Sequence, residues 1–220
     1  MQISHLHDWN LTPQAAIALQ QRLAAQIVTG PPLPLERVRL VAGVDVGVKD
    51  NISQAAVVVV TFPGLELVET VTVAQPTPFP YIPGLLTFRE GPVLEAAFKR
   101  LQAEPDVFLF DGMGIMHPRR LGVAAHMGLW LGRPTVGCGK THLLGTYDAP
   151  ANERGARSPV QHHGEQIGVV LRTRAGVKPV YISPGNRIDL ESAVTLALAC
   201  TPRYRLPEPI RMAHRAAGRR

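Results

Sequence analysis

Apolar residues along the chain follow two spacings, and the order of these patterns predicts an α/β fold. Apolar stripes with helical spacing run through residues 12–28, 88–103, 119–131 and 189–200. Runs rich in β-branched residues predict strands at 38–48, 54–62, 65–74, 106–110, 134–138, 166–172 and 177–182. Residues 148–164 carry neither pattern, and we predict a loop there.

The connections between these elements indicate how the sheet is built. Short turns join the first three strands, including Phe-Pro-Gly-Leu at residues 62–65, and favour antiparallel hairpins. Helix–strand–helix–strand follows, an order that favours parallel strands. This is the order of an RNase H-like fold: a central mixed sheet with three antiparallel strands and then parallel strands, flanked by helices. In that layout the first strand lies beside the strand at 106–110.

Length and composition fit this fold and exclude other classes of protein. With 220 residues and 45% hydrophobic residues, we predict a single domain over 1–220, in which 1–34 form an N-terminal helix and linker. No apolar run approaches the roughly 18 residues of a membrane span, and no secretory signal is visible. Cys138 and Cys200 indicate neither disulfides nor zinc, so we expect two core residues in a cytoplasmic protein. No apolar stripe is left unassigned, which favours a monomer.

The net charge of +6 is concentrated at the C-terminal end of the chain. Residues 201–220 contain one acidic residue, Glu208, and six arginines: Arg203, Arg205, Arg211, Arg215, Arg219 and Arg220. Such a segment suits a polyanion whose phosphates it would attract. The alternative is an end that merely increases solubility. For residues 216–220 we favour that alternative and predict a disordered basic tail.

Two aspartates occupy positions that normally hold apolar residues. Asp45 lies inside the run VRLVAGVDVGV, and Asp111 closes the run VFLFDG. A buried carboxylate is costly unless it is paired or binds a metal. Asp111 alone is also explained as a strand-end residue that caps the next turn, but Asp45 is not. Together they predict a site for a hard divalent cation, and oxygen ligands serve both Mg²⁺ and Mn²⁺.

Glu90 in the first turn of the predicted helix and Tyr81 in the loop before it each have two explanations. Thr87 and Glu90 have the spacing of a helix capping box, but Glu90 would also supply a third carboxylate to a metal cluster. Tyr81 stands between two prolines, which would stiffen a loop and present the ring to a base stack. The alternative is a tyrosine folded back onto the core.

The segment DGMGIMHPRR, which begins at Asp111, combines groups that suit a nucleic acid. Its glycines would let backbone amides approach a ligand, and Arg119 and Arg120 match phosphates. His117 by itself is more often a structural histidine than a ligand. Downstream, GCGKT lacks the spacing of a phosphate-binding loop, but Lys140 would neutralise charge in a transition state.

Taken in order, these motifs resemble the endonuclease V family of deoxyinosine 3′-endonucleases, also called deoxyribonuclease V. The resemblance covers residues 37–215 and is carried by VAGVDVGV, PYIPGLLTFRE, DGMGIMHPRRLGVAAH, PTVGCGKTHLLG, GEQIGVVLRT and YRLPEPIRMAH. It implies an RNase H-like fold and Mg²⁺-dependent DNA repair. The reaction it implies is hydrolysis of the second phosphodiester bond 3′ to a deaminated base, chiefly hypoxanthine, by an activated water.

The resemblance also implies roles for individual residues. The catalytic set would be Asp45, Glu90, Asp111, Lys140 and His214, of which the three carboxylates bind metal. The groups that contact DNA or the lesion would be Pro80, Tyr81, Ile82, Pro83, Gly84, Gly112, Gly114, His117, Arg119 and Gly137. Two positions depart from the family pattern: Met113 replaces a polar residue, often histidine, and Thr141 replaces a second basic residue of many bacterial members.

Three alternatives stay open at this level. Inosine-containing RNA is a second substrate compatible with the motifs. Another RNase H-like nuclease would act on RNA–DNA hybrids or junctions. A basic nucleic-acid-binding module without catalysis would hold its carboxylates as structural groups, but it gives no reason for Asp45.

Overall fold

A computed structural model describes residues 1–218, which form one mixed sheet with helices on both faces. The helices are α1 (Pro13–Ala24), α2 (Leu86–Arg100), α3 (Val123–Leu131), α4 (Leu190–Ala199) and α5 (Glu208–Ala216), with a 3₁₀ turn at Leu35–Arg37. The strands are β1 (Leu40–Lys49), β2 (Ile52–Thr61), β3 (Leu67–Pro76), β4 (Val107–Phe110), β5 (Thr135–Gly139), β6 (Arg157–His162), β7 (Glu165–Leu171) and β8 (Val180–Asn186).

The eight strands lie in the order β3-β2-β1-β4-β5-β8-β7-β6. The first three are antiparallel, and β1, β4 and β5 are parallel to one another, as the sequence predicts. The last three strands then run antiparallel to their neighbours. The strand that carries Asp45 therefore lies beside the strand that precedes Asp111, near the centre of the sheet.

Each face of the sheet has its own apolar core. On one face Ile210 and Ala213 of α5 pack with residues of α4 and with strand residues such as Val41 and Leu109. On the other face α2 and α3 cover Ala42, Val44 and Phe110 among others. Because successive strand residues point to opposite faces, Gly43 and Asp45 belong to the α5 face of β1.

Two elements were not predicted. The predicted loop 148–164 contains β6, whose residues alternate between exposed and buried over Arg157–Gln161. Pro159 obscures this strand in the sequence, but β6 is at the sheet edge, where a missing N–H group is tolerated. The second is α5, in a segment for which the sequence analysis predicts no helix.

The prediction of a disordered tail at 216–220 needs correction where the structure describes it. Ala216 is the last residue of α5, and Ala217 is buried against the core because it continues the apolar face of that helix. Arg219 and Arg220 lie outside the described residues.

The structure bears on two further predictions, the burial of the cysteines and the lack of a membrane-spanning segment. Cys138 and Cys200 are free and buried, as expected for two core residues. Within residues 1–218, no helix combines the length and apolar character that a membrane crossing requires.

Candidate active site

The two aspartates meet because β1 and β4 are parallel neighbours. Val44 pairs with Phe110 in the ladder, and the Asp111 amide donates a hydrogen bond to the Val44 carbonyl at 2.9 Å. Asp45 and Asp111 are therefore at the same height in the sheet. Asp45 is only 4% exposed, which confirms that its carboxylate lies in the interior.

His214 reaches the aspartates from α5. Its Nδ1 lies 2.7 Å from Asp45 Oδ2, so the ring donates its Nδ1–H to the carboxylate. Potential ligand atoms of Asp45, Asp111 and His214 all lie within 4.8 Å of one another. The prediction that His214 belongs with the aspartates therefore agrees with their placement.

Gly43 is the reason that α5 can approach β1 so closely. A Cβ atom at this position would overlap the backbone carbonyl of Pro209. Gly43 precedes Asp45 by two residues, and Ile210 precedes His214 by one helical turn. Both intervals span about 6 Å, because a strand rises about 3.3 Å and a helix 1.5 Å per residue. Contact at Gly43 thus aligns His214 with Asp45.

Lys140 completes the charged cluster from the end of β5. Its Nζ donates to Asp111 Oδ2 at 2.5 Å and lies 3.3 Å from His214 Nδ1. Since both of those nitrogens are donors here, the second contact is not a hydrogen bond. Burial and the neighbouring Asp45 raise the pKa of Asp111, and Lys140 opposes that shift. Arg205 supports this arrangement by donating to the carbonyl of Lys140.

This donor set fits a divalent cation. Two oxygen donors and an imidazole converge within reach of a single ion. Burial, and then the negative charge of Asp45, raise the pKa of Asp111, and a cation beside the two carboxylates would offset both effects. Asp45 and Asp111 would hold it, and His214 would orient the Asp45 carboxylate through its Nδ1–H.

Glu90 lies on α2 and lines the same cavity as the aspartates. It is buried, but it is not part of the close group formed by Asp45, Asp111 and His214. The capping-box explanation for Glu90 is wrong, since α2 begins at Leu86 with Leu85 as its N-cap and has no side-chain capping bond. Thr87 is inside the helix and cannot cap it. Glu90 is thus a lining residue of the cavity and not a helix cap.

Under the resemblance to endonuclease V, Glu90→Gln is expected to reduce nicking of inosine DNA strongly while leaving the melting temperature close to that of the wild type. Glutamine preserves the volume of the side chain but removes the charge that a metal site would use. The variant is compared with the wild type by single-turnover nicking and by thermal unfolding. Wild-type nicking would show that Glu90 has no part in the chemistry.

A cavity of about 450 Å³ is lined by Asp45, Glu90, Asp111 and Lys140, among others. Its lining includes six of the ten predicted DNA-contacting residues: Tyr81, Ile82, Pro83, Gly84, Gly112 and His117. The lining also includes Met113 and Thr141, the two departures from the family pattern. The ring of Tyr81 is 69% exposed, so the alternative of a tyrosine folded onto the core is wrong.

The other four predicted residues lie elsewhere. Gly114 and Gly137 contact each other behind the cavity, because a Cβ atom at Gly137 would overlap the Gly114 amide nitrogen. Their lack of side chains allows the loop after Asp111 to pack on β5. Pro80 lines a separate cavity, and the guanidinium of Arg119 contacts protein groups.

The carbonyl of Gly84 organises the end of the tyrosine loop. It accepts hydrogen bonds from Gln20 at 3.0 Å, Arg119 at 2.7 Å and His117 Nε2 at 3.1 Å. Arg119 in turn donates to Gln20 at 2.6 Å. Gly84 has φ of +79°, a left-handed conformation that favours glycine. His117 and Arg119 therefore fix the loop, and Gln20 is a supporting residue that the sequence analysis missed.

His117 is expected to make the protein less stable in mildly acidic solution. Burial and the nearby Arg119 lower its pKa to about 4, against about 6.5 in the unfolded chain. Between those values only the unfolded chain binds the proton, so the free energy of unfolding decreases as the pH falls through this range. Melting temperatures from pH 7 to pH 4 should decrease less for His117→Gln than for the wild type. Equal decreases would contradict this assignment.

Comparison with known proteins decides the family. A family model described as Endonuclease V matches residues 21–215. The chain belongs to the endonuclease V family. Endonuclease V of Trichormus variabilis is 48% identical over 222 residues, which cover 100% of both chains.

Solved structures of endonuclease V agree with the fold of this family member. The Bacillus subtilis protein has a TM-score of 0.94 at 33% identity and covers 99% of this chain and 96% of its own. The Ciona intestinalis protein, solved with a 24mer DNA containing an inosine followed by a ribo-adenosine, has a TM-score of 0.83 at 26% identity. That match covers 94% of this chain and 97% of the other. The RNase H-like fold is confirmed, and this member of the endonuclease V family is a nuclease.

Proposed function

We propose that this protein is a DNA repair endonuclease that hydrolyses the second phosphodiester bond 3′ to a deaminated base, chiefly hypoxanthine. The observation that carries the proposal is the cluster of Asp45, Asp111 and His214, whose two aspartates line a cavity together with the exposed Tyr81. The Ciona intestinalis relative, whose DNA contains an inosine, supports the choice of lesion.

The chemistry follows from the charges of the cluster. Mg²⁺, or Mn²⁺ in its place, would supply the Lewis acidity that phosphodiester hydrolysis requires. Asp45 and Asp111 would hold the cation, with Glu90 as a further carboxylate in the same cavity. His214 keeps the Asp45 carboxylate oriented through its Nδ1–H. Lys140 would exchange its contact with Asp111 for the scissile phosphate and neutralise charge there.

Recognition of the lesion rests on the cavity and the tyrosine loop. Hypoxanthine pairs more weakly than a normal base, so its extrusion from the duplex costs less. The cavity walls include backbone at Gly84 and Gly112 that can approach a base edge closely. A site that forms hydrogen bonds to one base edge rejects bases that lack the matching donor or acceptor groups.

Tyr81→Ala is expected to weaken discrimination between inosine DNA and normal DNA while changing stability little. The exposed ring makes few contacts within the protein, and surface substitutions usually change stability by less than about 0.5 kcal/mol. Affinities for the two duplexes and thermal unfolding provide the measurement. Wild-type discrimination combined with a large decrease in melting temperature would contradict the role of Tyr81 as a wedge.

The proposed function is tested with an end-labelled duplex that contains one deoxyinosine. We expect a nick at the second bond 3′ to the inosine with Mg²⁺ and none with chelator. Intact DNA with retained binding would favour a non-catalytic binding module instead.

Substrate competition separates the nuclease alternatives. The ribo-adenosine after the inosine in the Ciona complex makes inosine-containing RNA the first competitor to include. An RNA–DNA hybrid without inosine is the second. A monomeric state and a cytoplasmic location stay predictions from the sequence.

A further inference from the structure

The loop between β3 and α2 has a cavity on each side. Residues 81–84 line the cavity that contains Asp45, Glu90 and Asp111, which we call the acidic cavity. The residues just before them, including Phe79 and Pro80, line a second cavity of about 480 Å³. Tyr81, which is exposed, follows Pro80 directly in the chain. Neighbouring residues of the loop therefore line two different cavities, of which the proposed function uses only the first.

The walls of the second cavity suit a flat, uncharged heterocycle. Trp9 and Phe79 contribute aromatic rings, and Pro92 contributes an apolar surface from α2. Asn10 and Gln75 contribute amide groups that donate and accept hydrogen bonds. None of the described residues that line this cavity is charged. Nucleobases are bound by this combination of stacking surfaces and side-chain amides.

The aromatic wall is held in place before any ligand arrives. Trp9 donates its indole N–H to Glu95 at 2.7 Å and stacks on Trp130 with ring centroids 4.9 Å apart. Gly91 lets the indole lie against α2, since a Cβ atom there would overlap the ring. Binding would thus require little ordering of the wall, which reduces its entropic cost.

We propose that the second cavity binds the base that was paired with the lesion in the opposite strand. This inference rests on the proposed function. A wedge that separates two strands leaves two bases unpaired, and the proposed function places the lesion in the acidic cavity. The partner base has lost both pairing and stacking. The uncharged aromatic cavity on the other side of the wedge would replace both interactions.

The N-terminal wall of the second cavity lies outside the match to the family model. Trp9 and Asn10 lie before residue 21, where the match to the family model begins. The residues of the acidic cluster all lie within that match. The second cavity is therefore built by joining an N-terminal arm to the tyrosine loop and α2.

The test is a binding cycle with the double variant Asn10→Ala/Gln75→Ala. Both substitutions remove amide groups and leave the aromatic wall unchanged. Three inosine ligands are compared: a duplex, the same duplex with an abasic residue opposite the inosine, and the single strand. Affinities are measured by fluorescence anisotropy in chelator and at one salt concentration, so that the DNA stays intact and electrostatic effects are constant.

We expect the affinity of the double variant for the complete duplex to be at least about fivefold lower than that of the wild type. This is the effect of losing one or two hydrogen bonds. Its affinities for the abasic duplex and the single strand should equal those of the wild type. The control variant Gln21→Ala/Gln26→Ala, which alters two exposed glutamines near the end of α1, should match the wild type on all three ligands.

Two results would overturn the inference. Equal weakening on all three ligands would show that the amides only shape the loop, and no weakening on any ligand would show that the cavity binds no base. A duplex with adenine in place of inosine keeps these results separate from the proposed function. If the wild type binds and nicks that duplex as well as the inosine duplex, lesion recognition itself is wrong, and the inference fails with it.

Discussion

Asp111→Asn is expected to abolish metal-dependent nicking while leaving the protein folded and able to bind DNA. The substitution preserves shape but removes one of the two carboxylates that would hold the cation. Loss of a group that only orients a metal ligand costs roughly 10–100-fold, so removal of a ligand should cost more. Asp45→Ala is expected to have the same effect on nicking for the same reason.

Stability is expected to change little in Asp111→Asn, because two effects oppose each other. Asp111 is buried beside Asp45, and this raises its pKa, so a neutral amide relieves repulsion at neutral pH. The same substitution removes the carboxylate that accepts from Lys140. Thermal unfolding therefore shows whether a loss of nicking is chemical or structural.

Asp50, which follows β1 directly, offers a matched control for Asp111→Asn. Asp50 is exposed in the turn after β1 and has φ of 49°, a conformation that asparagine tolerates well. Asp50→Asn makes the same chemical change outside the site and should nick inosine DNA at the wild-type rate. If Asp111→Asn also nicks at the wild-type rate, the assignment of the metal site is wrong.

The sequence predicts the carboxylates of the site because their signal is local. Asp45 interrupts an apolar run, and Asp111 ends one, so each conflicts with the burial that its neighbours predict. The central strand order follows from short turns and alternating helices. The proximity of the two aspartates then depends only on β1 and β4 being parallel neighbours.

The features that the sequence analysis missed depend on contacts between distant segments. Gln20 supports Gly84 across 64 positions of the chain, and no local pattern indicates that contact. β6 is hidden by Pro159, because an edge strand tolerates a residue that a central strand excludes.

Helix α5 did carry a local signal that its arginines obscured. Glu208 and Pro209 occupy the first turn, Ile210 and Ala213 are buried, and basic residues close the helix. These are ordinary start and stop signals of a short amphipathic helix. The basic composition of residues 201–220 obscured these signals, so the helix that brings His214 to the site was not predicted.

Gly43→Ala is expected to lower both the melting temperature and the nicking rate. The added methyl group would overlap the backbone of Pro209, which cannot rotate away as a side chain would. Overpacking of this kind costs roughly 1–3 kcal/mol. Because α5 must move outward, His214 would lose its 2.7 Å contact with Asp45. Misplacement of a site residue by about 1 Å can reduce a rate by roughly 10²-fold.

Gly30→Ala is the control for this substitution, since a Cβ atom at Gly30 meets nothing within 4 Å. It should retain nicking. Melting temperature and nicking of Gly43→Ala at the wild-type values would show that α5 does not need the close approach.

Temperature separates the two ways in which Gly43→Ala can lose activity. If the methyl group only destabilises the fold, nicking far below the melting temperature should equal that of the wild type, since nearly all molecules are folded there. If α5 is displaced in the folded protein, the loss of rate persists at every temperature, because His214 is misplaced in each folded molecule. We expect the second result, since the overlap at Gly43 involves backbone atoms and the spacing of Gly43 and Asp45 matches that of Ile210 and His214.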